Sequence, residues 1–463
     1  MPKTDARPNL LIIMADQHAP MFSGPYGHPL VRTPNMDRLA SDGVVFDAAY
    51  CNSPLCVPSR MSFMTGRHIQ HIGIWDNGVP LASEAATWAH AVRTQGYDAV
   101  LAGKQHFRGT DRLHGFRAQI ARDINAENKP MIPDWSQELQ SRAPILEIRT
   151  SAGTSEEVKA DDEVEAAALA YLRHPDRQTG PWALNVGFVA PHPPWIIPPQ
   201  FFDMYPPEEV DLPVVPPGHL EGQHPVHQRM RRWRGLGEGL LPEDAVRRAR
   251  SAYYGLVTYL DEKVGRLLDA LEETGLRENT VVVYTSDHGE LLGEHGMWYK
   301  CCLYEQAVRI PLIISWPGNL PRRRVKEPVS SVDLSATIVE LAGATRLDWM
   351  DGDSLLSLAK GESRDWKNEA ISEYYAMGVT QPLAMIRQGR FKLNFCLGDR
   401  VELYDLQDDP GELDDLGENP AYGDVRETLE ARLLSQWDPT RLEEEVRQSQ
   451  RERRLIYDFL FDW

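Results

Sequence analysis

The chain has 463 residues, of which 42% are hydrophobic and 25% charged, as in an ordinary globular protein large enough for a core and an appended subdomain. Its formal net charge of −19 and the lack of a clustered basic stretch argue against a nucleic-acid partner, because phosphate backbones are bound by basic residues gathered on one face. Local positive charge must therefore attract any anionic substrate.

The N-terminal residues and the cysteines indicate the compartment. The apolar run at residues 9–15 is short and leads directly into Asp16, so we interpret it as a first strand and not as a signal peptide. The chain has five cysteines, which are Cys51, Cys56, Cys301, Cys302 and Cys396. They are neither the even number expected for the disulfides of a secreted protein nor a CxxC pair that could bind a metal, and they favour a reducing compartment. Because no apolar stretch approaches a membrane-spanning length, we expect a soluble, cytoplasmic protein without a membrane partner.

Short apolar, β-branched runs alternate with longer helical patterns along most of the chain. The main predicted strands are residues 10–14, 98–103, 182–189 and 280–285. The clearest helix precedes the last of them, with apolar residues at helical spacing over residues 245–271 and Gly275 suited to its C-terminus. This alternation predicts an α/β fold in which a large, mostly parallel sheet is sandwiched by helices.

Polar side chains follow each of these predicted strands at the point where the strand ends. In chain order they are Asp16 and Gln17, then Lys104, Gln105 and His106, then His192, and finally Asp287 and His288. A single polar residue at a strand end is common on protein surfaces. In open α/β sheets, however, the ligand site lies beyond the carboxyl ends of the strands. Four strands that deliver carboxylates, imidazoles and an ammonium to one edge therefore favour a functional site.

Two stretches of the α/β region carry little periodic signal. Residues 117–154 are poorly patterned, and we interpret them as an irregular insertion near the site. Residues 191–217 are rich in proline, which removes backbone donors, and we expect them to lack regular structure and to wrap the rim of the site.

The pattern changes near residue 368. Short strands with intervening turns are predicted at residues 371–375, 383–387, 391–395 and 401–406, followed by a charged helix at residues 439–454. We expect the apolar residues 455–463 to be buried against the body or against a second subunit of a homo-oligomer, either a dimer or a tetramer. The predicted domains are an α/β catalytic domain at residues 1–367 and, at residues 368–463, a small antiparallel sheet with a helical tail.

The most specific local signal is the run CVPSRMSFMTG at residues 56–66. Pro58 suits the first turn of a helix, which places Cys56 just before a helix N-terminus. Free N–H groups and the helix dipole favour anions at that position. On these grounds alone, Cys56 is compatible with a buried structural cysteine or with a thiolate nucleophile activated by the dipole.

This run resembles the sulfatase signature CxPSRxxxxTG, and every defined position is matched. The chain is thus similar to the formylglycine-dependent sulfatases of the alkaline-phosphatase-like superfamily. The resemblance implies that a formylglycine-generating enzyme oxidises Cys56 to Cα-formylglycine after synthesis. In this family one hydroxyl of the hydrated aldehyde attacks sulfur, and the other later loses its proton as sulfate is expelled, which regenerates the nucleophile.

The same resemblance implies one divalent cation held by Asp16, Asp287, His288 and the modified Cys56, where it lowers the pKa of the diol. Two positions depart from many arylsulfatases. Gln17 stands where they carry a second aspartate, and His288 stands where they carry asparagine. The ligand set is therefore poorer in carboxylates and includes nitrogen, which moves the expectation from Ca²⁺ toward Mn²⁺ while leaving both open.

Further catalytic residues are implied by the resemblance. Three cations match those of the family around the nucleophile and the sulfate: Arg60, Lys104 and Lys300. Two histidines match those near the diol and the leaving group: His106 and His192. Lys300 is the preferred proton donor to the leaving oxygen, and His192 is the alternative.

Asn77 and Gln17 are expected to bind substrate, although Asn77 could simply cap a turn. The chain resembles choline sulfatases most, through residues 103–106, 113–116, 259–265 and 298–300 and through its tail at residues 447–451. Choline sulfatases extend beyond the position matching Trp463, and that extension helps to build their ammonium pocket. The expected substrate is therefore any small organic sulfate monoester, choline-sulfate-like or another alkyl, aryl or sugar sulfate.

An aromatic box for a quaternary ammonium needs several rings around one cavity, and three aromatic residues are available for it: Trp135, Trp195 and Tyr375.

The nearest alternative function is a phosphonate monoester hydrolase or phosphodiesterase of the same superfamily, which shares the fold, the formylglycine and the Asp-Gln start. A non-catalytic oxyanion-binding protein and an unrelated cysteine-dependent hydrolase also stay open.

Overall fold

The computed structural model describes residues 7–125, 132–136, 149–237, 239–362 and 365–461. The strands in these ranges are β1 (Asn9–Asp16), β2 (Val44–Phe46), β3 (Ala49–Tyr50), β4 (Asp98–Gly103), β5 (Ala118–Ala121), β6 (Thr150–Ala152), β7 (Trp182–Pro191), β8 (Trp195–Ile197), β9 (Thr280–Ser286), β10 (Arg309–Ile310), β11 (Leu312–Ser315), β12 (Arg323–Val325), β13 (Val329–Ser330), β14 (Glu369–Tyr374), β15 (Leu383–Gln388), β16 (Phe391–Cys396) and β17 (Glu402–Asp405). The helices are α1 (Pro34–Ser41), α2 (Cys56–Thr65), α3 (Ile69–Ile72), α4 (Trp88–Thr94), α5 (Glu156–Leu172), α6 (Pro199–Phe202), α7 (His219–Gly222), α8 (Pro225–Arg234), α9 (Glu243–Glu273), α10 (Glu305–Val308), α11 (Ser331–Leu341), α12 (Leu356–Lys360), α13 (Gly423–Leu434) and α14 (Pro439–Phe461).

An eight-stranded sheet lies at the centre of the described chain, with the strand order β12-β2-β11-β9-β1-β7-β4-β5. Its strands run parallel except for β11, which is antiparallel to both β2 and β9. The predicted α/β class with a large, mostly parallel sheet is confirmed. Short sheets flank this one, among them β10-β3-β13 and β6-β8.

Both faces of the central sheet are covered, as the alternation along β1 demonstrates. Leu10, Ile12 and Met14 join a buried cluster that includes side chains of α2, α4 and α11. Leu11 and Ile13 point the other way and pack with side chains of α5 and α9. Successive residues of a strand point to opposite faces, so a strand covered on both sides must be apolar throughout. All eight residues of β1 are buried.

The helix predicted at residues 245–271 is present as α9, and it leads into the core strand β9 as expected. Gly275 adopts a left-handed φ of 69° just after the helix. The backbone N–H of Leu276 then donates to the carbonyl of Leu271 at 2.9 Å, which closes the helix end. The chain thus reverses within a few residues and returns to the sheet.

The C-terminal part forms the predicted antiparallel sheet, with the order β14-β15-β16-β17. Each observed strand overlaps a predicted one to within two residues at either end. Leu393 of β16 and Leu403 of β17 belong to the same buried cluster as the α2 face of the main sheet. The smaller sheet is therefore continuous with the main core.

The helical tail is longer than the charged stretch that predicted it, because α14 continues to Phe461. Leu442 and Val446 pack into the core at its N-terminal end. Leu455 and Ile456 are 73% and 59% exposed, and Tyr457 is also exposed. The predicted burial against the body is thus wrong for these residues, since they lie on a helix that has passed the edge of the core. Burial against a second subunit stays a prediction, and residues 462–463 lie outside the described residues.

Two other expectations need correction. The proline-rich residues 191–217 contain β8, α6 and a 3-10 turn at Pro207–Glu209. Proline occupies the first turn of α6 and of the 3-10 turn, where its missing N–H costs no hydrogen bond, so the same residues that exclude a long helix start short ones. Residues 117–154 include β5 and β6, while residues 126–131 and 137–148 lie outside the described residues.

All five cysteines are free and buried, as expected for a chain without a disulfide framework. Among the described helices, none combines the length and apolar character that crossing a bilayer would require.

Candidate active site

Adjacent strands of the central sheet deliver polar side chains to one edge, because β9, β1, β7 and β4 are consecutive in it. Asp16 is the last residue of β1, and Asp287 follows β9 directly. Lys104 follows β4, and His192 follows β7. The four predicted groups thus share one edge of the sheet.

Cys56 opens α2, whose ten residues are all buried. The helix begins at Cys56 itself, with Leu55 as its N-cap, so the expectation that Cys56 precedes the helix is wrong by one position. Leu55 has no side chain that can cap the helix, and the Asn77 side-chain oxygen accepts from the Val57 N–H at 2.9 Å instead. Asn77 satisfies one of the first N–H groups of the helix, and helix starts of this kind favour anions through their free N–H groups and the helix dipole.

Four potential metal ligands converge beside this helix start. Asp16, Cys56, Asp287 and His288 are buried, and one ligand atom from each lies within 4.8 Å of those of all the others. The Cys56 Sγ is 3.3 Å from the His288 Nε2. The same imidazole nitrogen lies 3.8 Å from the Asp16 Oδ1 and 3.6 Å from the Asp287 Oδ1.

The donor set fits a divalent cation. Within the described residues, the buried Oδ1 of Asp16 has no hydrogen-bond partner, while its Oδ2 contacts the Lys104 ammonium. The His288 Nδ1 lies 3.1 Å from the Gly289 carbonyl, which directs the Nε2 toward the carboxylates as in metal-bound histidines. A buried carboxylate oxygen without a donor, such as this Oδ1, is costly unless a positive charge meets it. Two carboxylates, an imidazole and a cysteine-derived ligand together suit Ca²⁺ or Mn²⁺.

Arg60 and Lys104 place two buried positive charges beside the carboxylates of the site. The Arg60 Nε donates to the Asp287 Oδ2 at 2.7 Å, and its Nη1 donates to the Lys104 carbonyl at 2.8 Å. The Lys104 ammonium contacts a carboxylate oxygen of Asp16. Burial alone would raise the pKa of Asp16, but Lys104, His192 and Arg60 hold it well below its ordinary value. Asp16 is therefore ionised and ready to bind a cation.

Cys56 lies in a field of positive charge. Burial alone would raise the pKa of its thiol, yet Lys300, His288 and Lys104 lower it well below the ordinary value. His106 also forms a hydrogen bond with the thiol. An anion at the position of Sγ is thus strongly stabilised.

Lys300 reaches the site through Gln17. The Lys300 ammonium donates to the Gln17 side-chain oxygen, and the Gln17 amide nitrogen donates to Glu290. Glu290 is buried and also accepts from the backbone N–H groups of Leu292 and Tyr299, at 2.8 and 2.7 Å. Gln17, predicted to bind substrate, therefore orients Lys300.

The remaining predicted residues border the nucleophile. His106 has a left-handed φ of 63°, and its buried Nδ1 has no hydrogen-bond partner among the described residues. His192 is half-buried, with its Nδ1 2.6 Å from the Pro193 carbonyl. Asn77 caps α2, so the alternative of a capping role accounts for its side-chain oxygen.

The three rings considered for an ammonium box are core residues. Trp195 packs with α9 on one face of the sheet, whereas Trp135 and Tyr375 belong to the cluster on the other. Their polar atoms are occupied, since Trp195 donates to Pro191, Trp135 to Ala376 and Tyr375 to Glu373. The structure does not bring them together around one cavity.

Glu290 was missed by sequence reasoning. It follows Asp287 and His288 in the run Asp-His-Gly-Glu, and this density of polar residues after a strand is the signal that could have found it. Its buried position between two loop N–H groups and Gln17 is set by tertiary structure alone.

Comparison with known proteins gives consistent matches along the chain. A family model described as Sulfatase matches residues 8–344. A second, described as N-sulphoglucosamine sulphohydrolase, C-terminal, matches residues 293–438.

Similar proteins extend over nearly the full length. A choline-sulfatase of Rhizobium meliloti (strain 1021) is 35% identical over 476 residues, covering 99% of this chain and 92% of its own. An arylsulfatase of Clostridium perfringens is 28% identical over 459 residues, covering 93% of this chain and 94% of its own. The solved phosphonate monoester hydrolase of Agrobacterium radiobacter superposes with a TM-score of 0.78 at 26% identity, covering 93% of this chain and 95% of that one.

Proposed function

The chain belongs to the sulfatase family and is a sulfuric ester hydrolase, and we propose that it cleaves a small organic sulfate monoester to the alcohol and inorganic sulfate. The substrate would be choline-sulfate-like or another alkyl, aryl or sugar sulfate. The observation that carries the proposal is the position of Cys56 at the start of a buried helix, 3.3 Å from His288 and beside two carboxylates.

Cys56 acts after oxidation to formylglycine by a formylglycine-generating enzyme. Its match to the sulfatase signature and the positive field around its Sγ support this role. The positive charges of Lys300, His288 and Lys104, which lower the pKa of the thiol, also favour an anionic oxygen at the same position. One hydroxyl oxygen of the hydrated side chain would attack sulfur as the bond from sulfur to the alcohol oxygen breaks, and the second hydroxyl would then lose its proton as sulfate is expelled and the aldehyde reforms.

One divalent cation, Ca²⁺ or Mn²⁺, would be held by Asp16, Asp287, His288 and the modified Cys56. When bound, it supplies a positive charge that lowers the pKa of the nucleophile and neutralises sulfate oxygens. Asp16 and Asp287 supply the balancing negative charge, and Arg60 keeps Asp287 in place through its Nε contact of 2.7 Å. The imidazole of His288 is oriented by the Gly289 carbonyl.

Lys104 and Arg60 bind the sulfate group and offset its negative charge.

Lys300 donates the proton to the leaving oxygen. It has the largest favourable effect on the Cys56 thiolate among the surrounding cations, and its ammonium is oriented by Gln17. His192 is the alternative donor, because its ring is half-buried at the same edge of the sheet. His106 holds the nucleophile through its contact with Cys56.

The experiment that tests the function combines mass and turnover. The chain, expressed with a formylglycine-generating enzyme, should show at position 56 the mass loss that replaces a thiol by an aldehyde. The same sample should hydrolyse aryl sulfate, and a panel of choline, alkyl and sugar sulfates then ranks the substrates. A protein that retains its thiol after such expression and hydrolyses no sulfate ester contradicts the proposal.

A phosphonate monoester hydrolase is the second candidate, favoured by the similarity to the Agrobacterium radiobacter structure. A sulfate monoester carries one negative charge and a bare leaving-group side, whereas a diester needs room for a second substituent. We expect kcat/KM for an aryl sulfate to exceed that for the matching aryl phosphonate ester. The reverse order would assign the chain to the phosphonate activity.

The remaining features of the function are also proposals. Free, buried cysteines support a reducing, cytoplasmic location. The start of the small sheet at Glu369 supports a catalytic domain at residues 1–367 and a C-terminal part at residues 368–463. A homo-oligomer, dimer or tetramer, is supported by the exposed apolar side chains near the end of α14.

A further inference from the structure

The C-terminal helix α14 reaches the turn that caps the nucleophile helix. Both terminal nitrogens of Arg453 donate to the carboxylate of Asp76, at 2.9 and 2.7 Å. Asp76 is fully buried, and 377 residues separate it from Arg453 along the chain. A bidentate pair of this geometry fixes both partners, because two parallel donors leave the carboxylate no rotational freedom.

Asp76 organises the turn that carries Asn77. The Asp76 Oδ1 accepts from the Gly78 N–H at 2.8 Å, which closes the turn around Asn77. The Asn77 side-chain oxygen in turn accepts from the N–H of Val57, the residue after the nucleophile. On the other side of the turn, the Arg108 Nε donates to the Asn77 carbonyl at 2.8 Å. The turn is thus held by two arginines, Arg453 at Asp76 and Arg108 at Asn77.

This chain of contacts leads to the start of α2. Leu55 has no side-chain cap, so Asn77 provides the hydrogen bond that a capping residue would normally supply. A shift of the Asp76–Gly78 turn would therefore move the first turn of α2 and with it the Cys56 side chain. Burial of an ionised carboxylate is tolerated only while a cation is paired with it.

We propose that Arg453 is a positioning residue for the nucleophile, acting through Asp76 and Asn77 on the first turn of α2. It does not touch the reacting atoms. The proposal deepens the proposed function, and it rests on the assignment of Cys56 as the nucleophile. It makes the C-terminal helix a part of the active-site architecture.

The test compares Arg453→Ala with Arg454→Ala in the matured, metal-loaded enzyme. Arg454 is a matched control, because it is the next residue of α14 and forms an ion pair of 2.6 Å with Asp134 instead of Asp76. We expect Arg453→Ala to lower kcat for an aryl sulfate by on the order of 10- to 100-fold with little change in KM, since misplacement of a reacting group acts on the chemical step. Arg454→Ala should retain wild-type kcat.

Two further readouts separate positioning from general structural damage. Added guanidinium should restore part of the lost kcat in Arg453→Ala and none of it in Asp76→Asn. The double variant Arg453→Ala/Asp76→Asn should lose no more kcat than Arg453→Ala alone, because both changes break the same path. Additive losses, or a loss of kcat that guanidinium does not restore, would overturn the proposal.

A readout that needs no activity keeps this proposal distinct from the sulfatase function. Hydrogen exchange of the peptide that spans the start of α2 should accelerate in Arg453→Ala and stay unchanged in Arg454→Ala, with the rest of the chain unaffected. If hydrogen exchange in Arg453→Ala accelerated equally over the whole chain, or did not accelerate at the start of α2, the result would contradict a positioning role for Arg453. If the wild-type chain hydrolysed no sulfate ester, the proposed function would fail, while the exchange result would still decide the contact path.

Discussion

At the scale of single residues, Asp287 does the most to unite the site. Its Oδ1 accepts from the backbone N–H groups of Gln17 and His288, at 3.1 and 2.9 Å, and its Oδ2 pairs with Arg60. One carboxylate thus links the ends of β1 and β9 to the helix of the nucleophile. Its remaining lone pairs face the donor atoms of Asp16 and His288.

We expect Cys56→Ala to abolish turnover while leaving the fold intact, because the thiol belongs to the site and makes few packing contacts that a methyl group cannot replace. Turnover of an aryl sulfate and the thermal midpoint should be measured together. Cys396→Ala is the matched control, since Cys396 is a buried free cysteine in β16. Near-wild-type activity of Cys56→Ala would refute the mechanism.

Asp287→Ala should lose bound metal and activity together. The variant removes a ligand and leaves the guanidinium of Arg60 without its closest carboxylate, so a loss of stability of about 3–5 kcal/mol is also expected. Metal content by elemental analysis and the denaturation midpoint check this result. Retention of either metal or activity alone would break the proposed ligand set.

His288→Asn should shift metal preference from Mn²⁺ toward Ca²⁺, because an amide oxygen replaces an imidazole nitrogen in the donor set. The measurement is activity of the apo-protein reconstituted with each ion in turn, together with the affinity for each ion. An unchanged order of the two ions would mean that His288 is not a ligand.

Sequence reasoning reached these residues unevenly. Asp16 and Asp287 were found because each ends a recognisable strand, and Cys56 because it opens a specific motif. Arg453 was not found, because it lies in a charged helical stretch whose pattern suggests only a solvated face. Its pairing with Asp76 depends on how two distant segments approach, which local patterns do not encode.

At the scale of elements, the long apolar strands and α9 could be predicted because each shows its period over enough residues. The strands β2, β3, β10, β12 and β13 contain two or three residues, too few for a period to appear. The antiparallel placement of β11 within a parallel sheet was also unpredictable, since strand direction leaves no trace in the pattern of a four-residue strand.

The loop that carries Lys300 rests on a cluster of histidines. His295 is buried, has a left-handed φ of 56°, and stacks on Tyr304 with ring centroids 3.7 Å apart. Its Nδ1 lies 3.1 Å from the His219 Nε2, and its carbonyl accepts from Gln223 at 2.8 Å. Burial, reinforced by the neighbouring His219 and His227, lowers the pKa of His295 well below 6.5.

The histidine cluster around His295 should make the folded protein less stable in acid. A histidine whose pKa is depressed by folding contributes stability above its ordinary pKa of 6.5, and that contribution is lost as the pH falls toward the folded-state value. We expect the free energy of unfolding to fall by about 1.4 kcal/mol per pH unit for each such histidine below that pH.

Urea unfolding between about pH 7.5 and about pH 5.5 measures this slope. His295→Phe retains the stacking on Tyr304 and should show a shallower slope than the wild type. His174→Asn is the control, since His174 is exposed and should leave the slope unchanged. Equal slopes in all three proteins would remove the cluster as a source of acid sensitivity.

At the scale of the whole molecule, the α/β class and the small antiparallel sheet were predictable because composition and alternation hold along long stretches. The end of the chain was predicted less well. A run of apolar residues predicts that these side chains are buried, but it does not indicate whether the same chain or a second subunit buries them. In the structure, α14 carries Leu455 and Ile456 into solvent.

These side chains give a test of the predicted homo-oligomer. Leu455→Asp/Ile456→Asp should shift the protein to a lower mass, because two charges would enter an apolar contact between subunits. Light scattering coupled to size exclusion measures the mass at several concentrations. A wild-type chain that is monomeric throughout would contradict the oligomer.

The complete enclosure of α2 also has a consequence for biogenesis. Every residue of the segment Cys56–Thr65 is buried in the folded protein, and Asp16 and Asp287, which lie beside Cys56, come from opposite halves of the chain. Under the proposed maturation, an enzyme that binds this segment to oxidise Cys56 would reach it only before the chain has folded. A chain that folded before that step would keep its thiol at position 56.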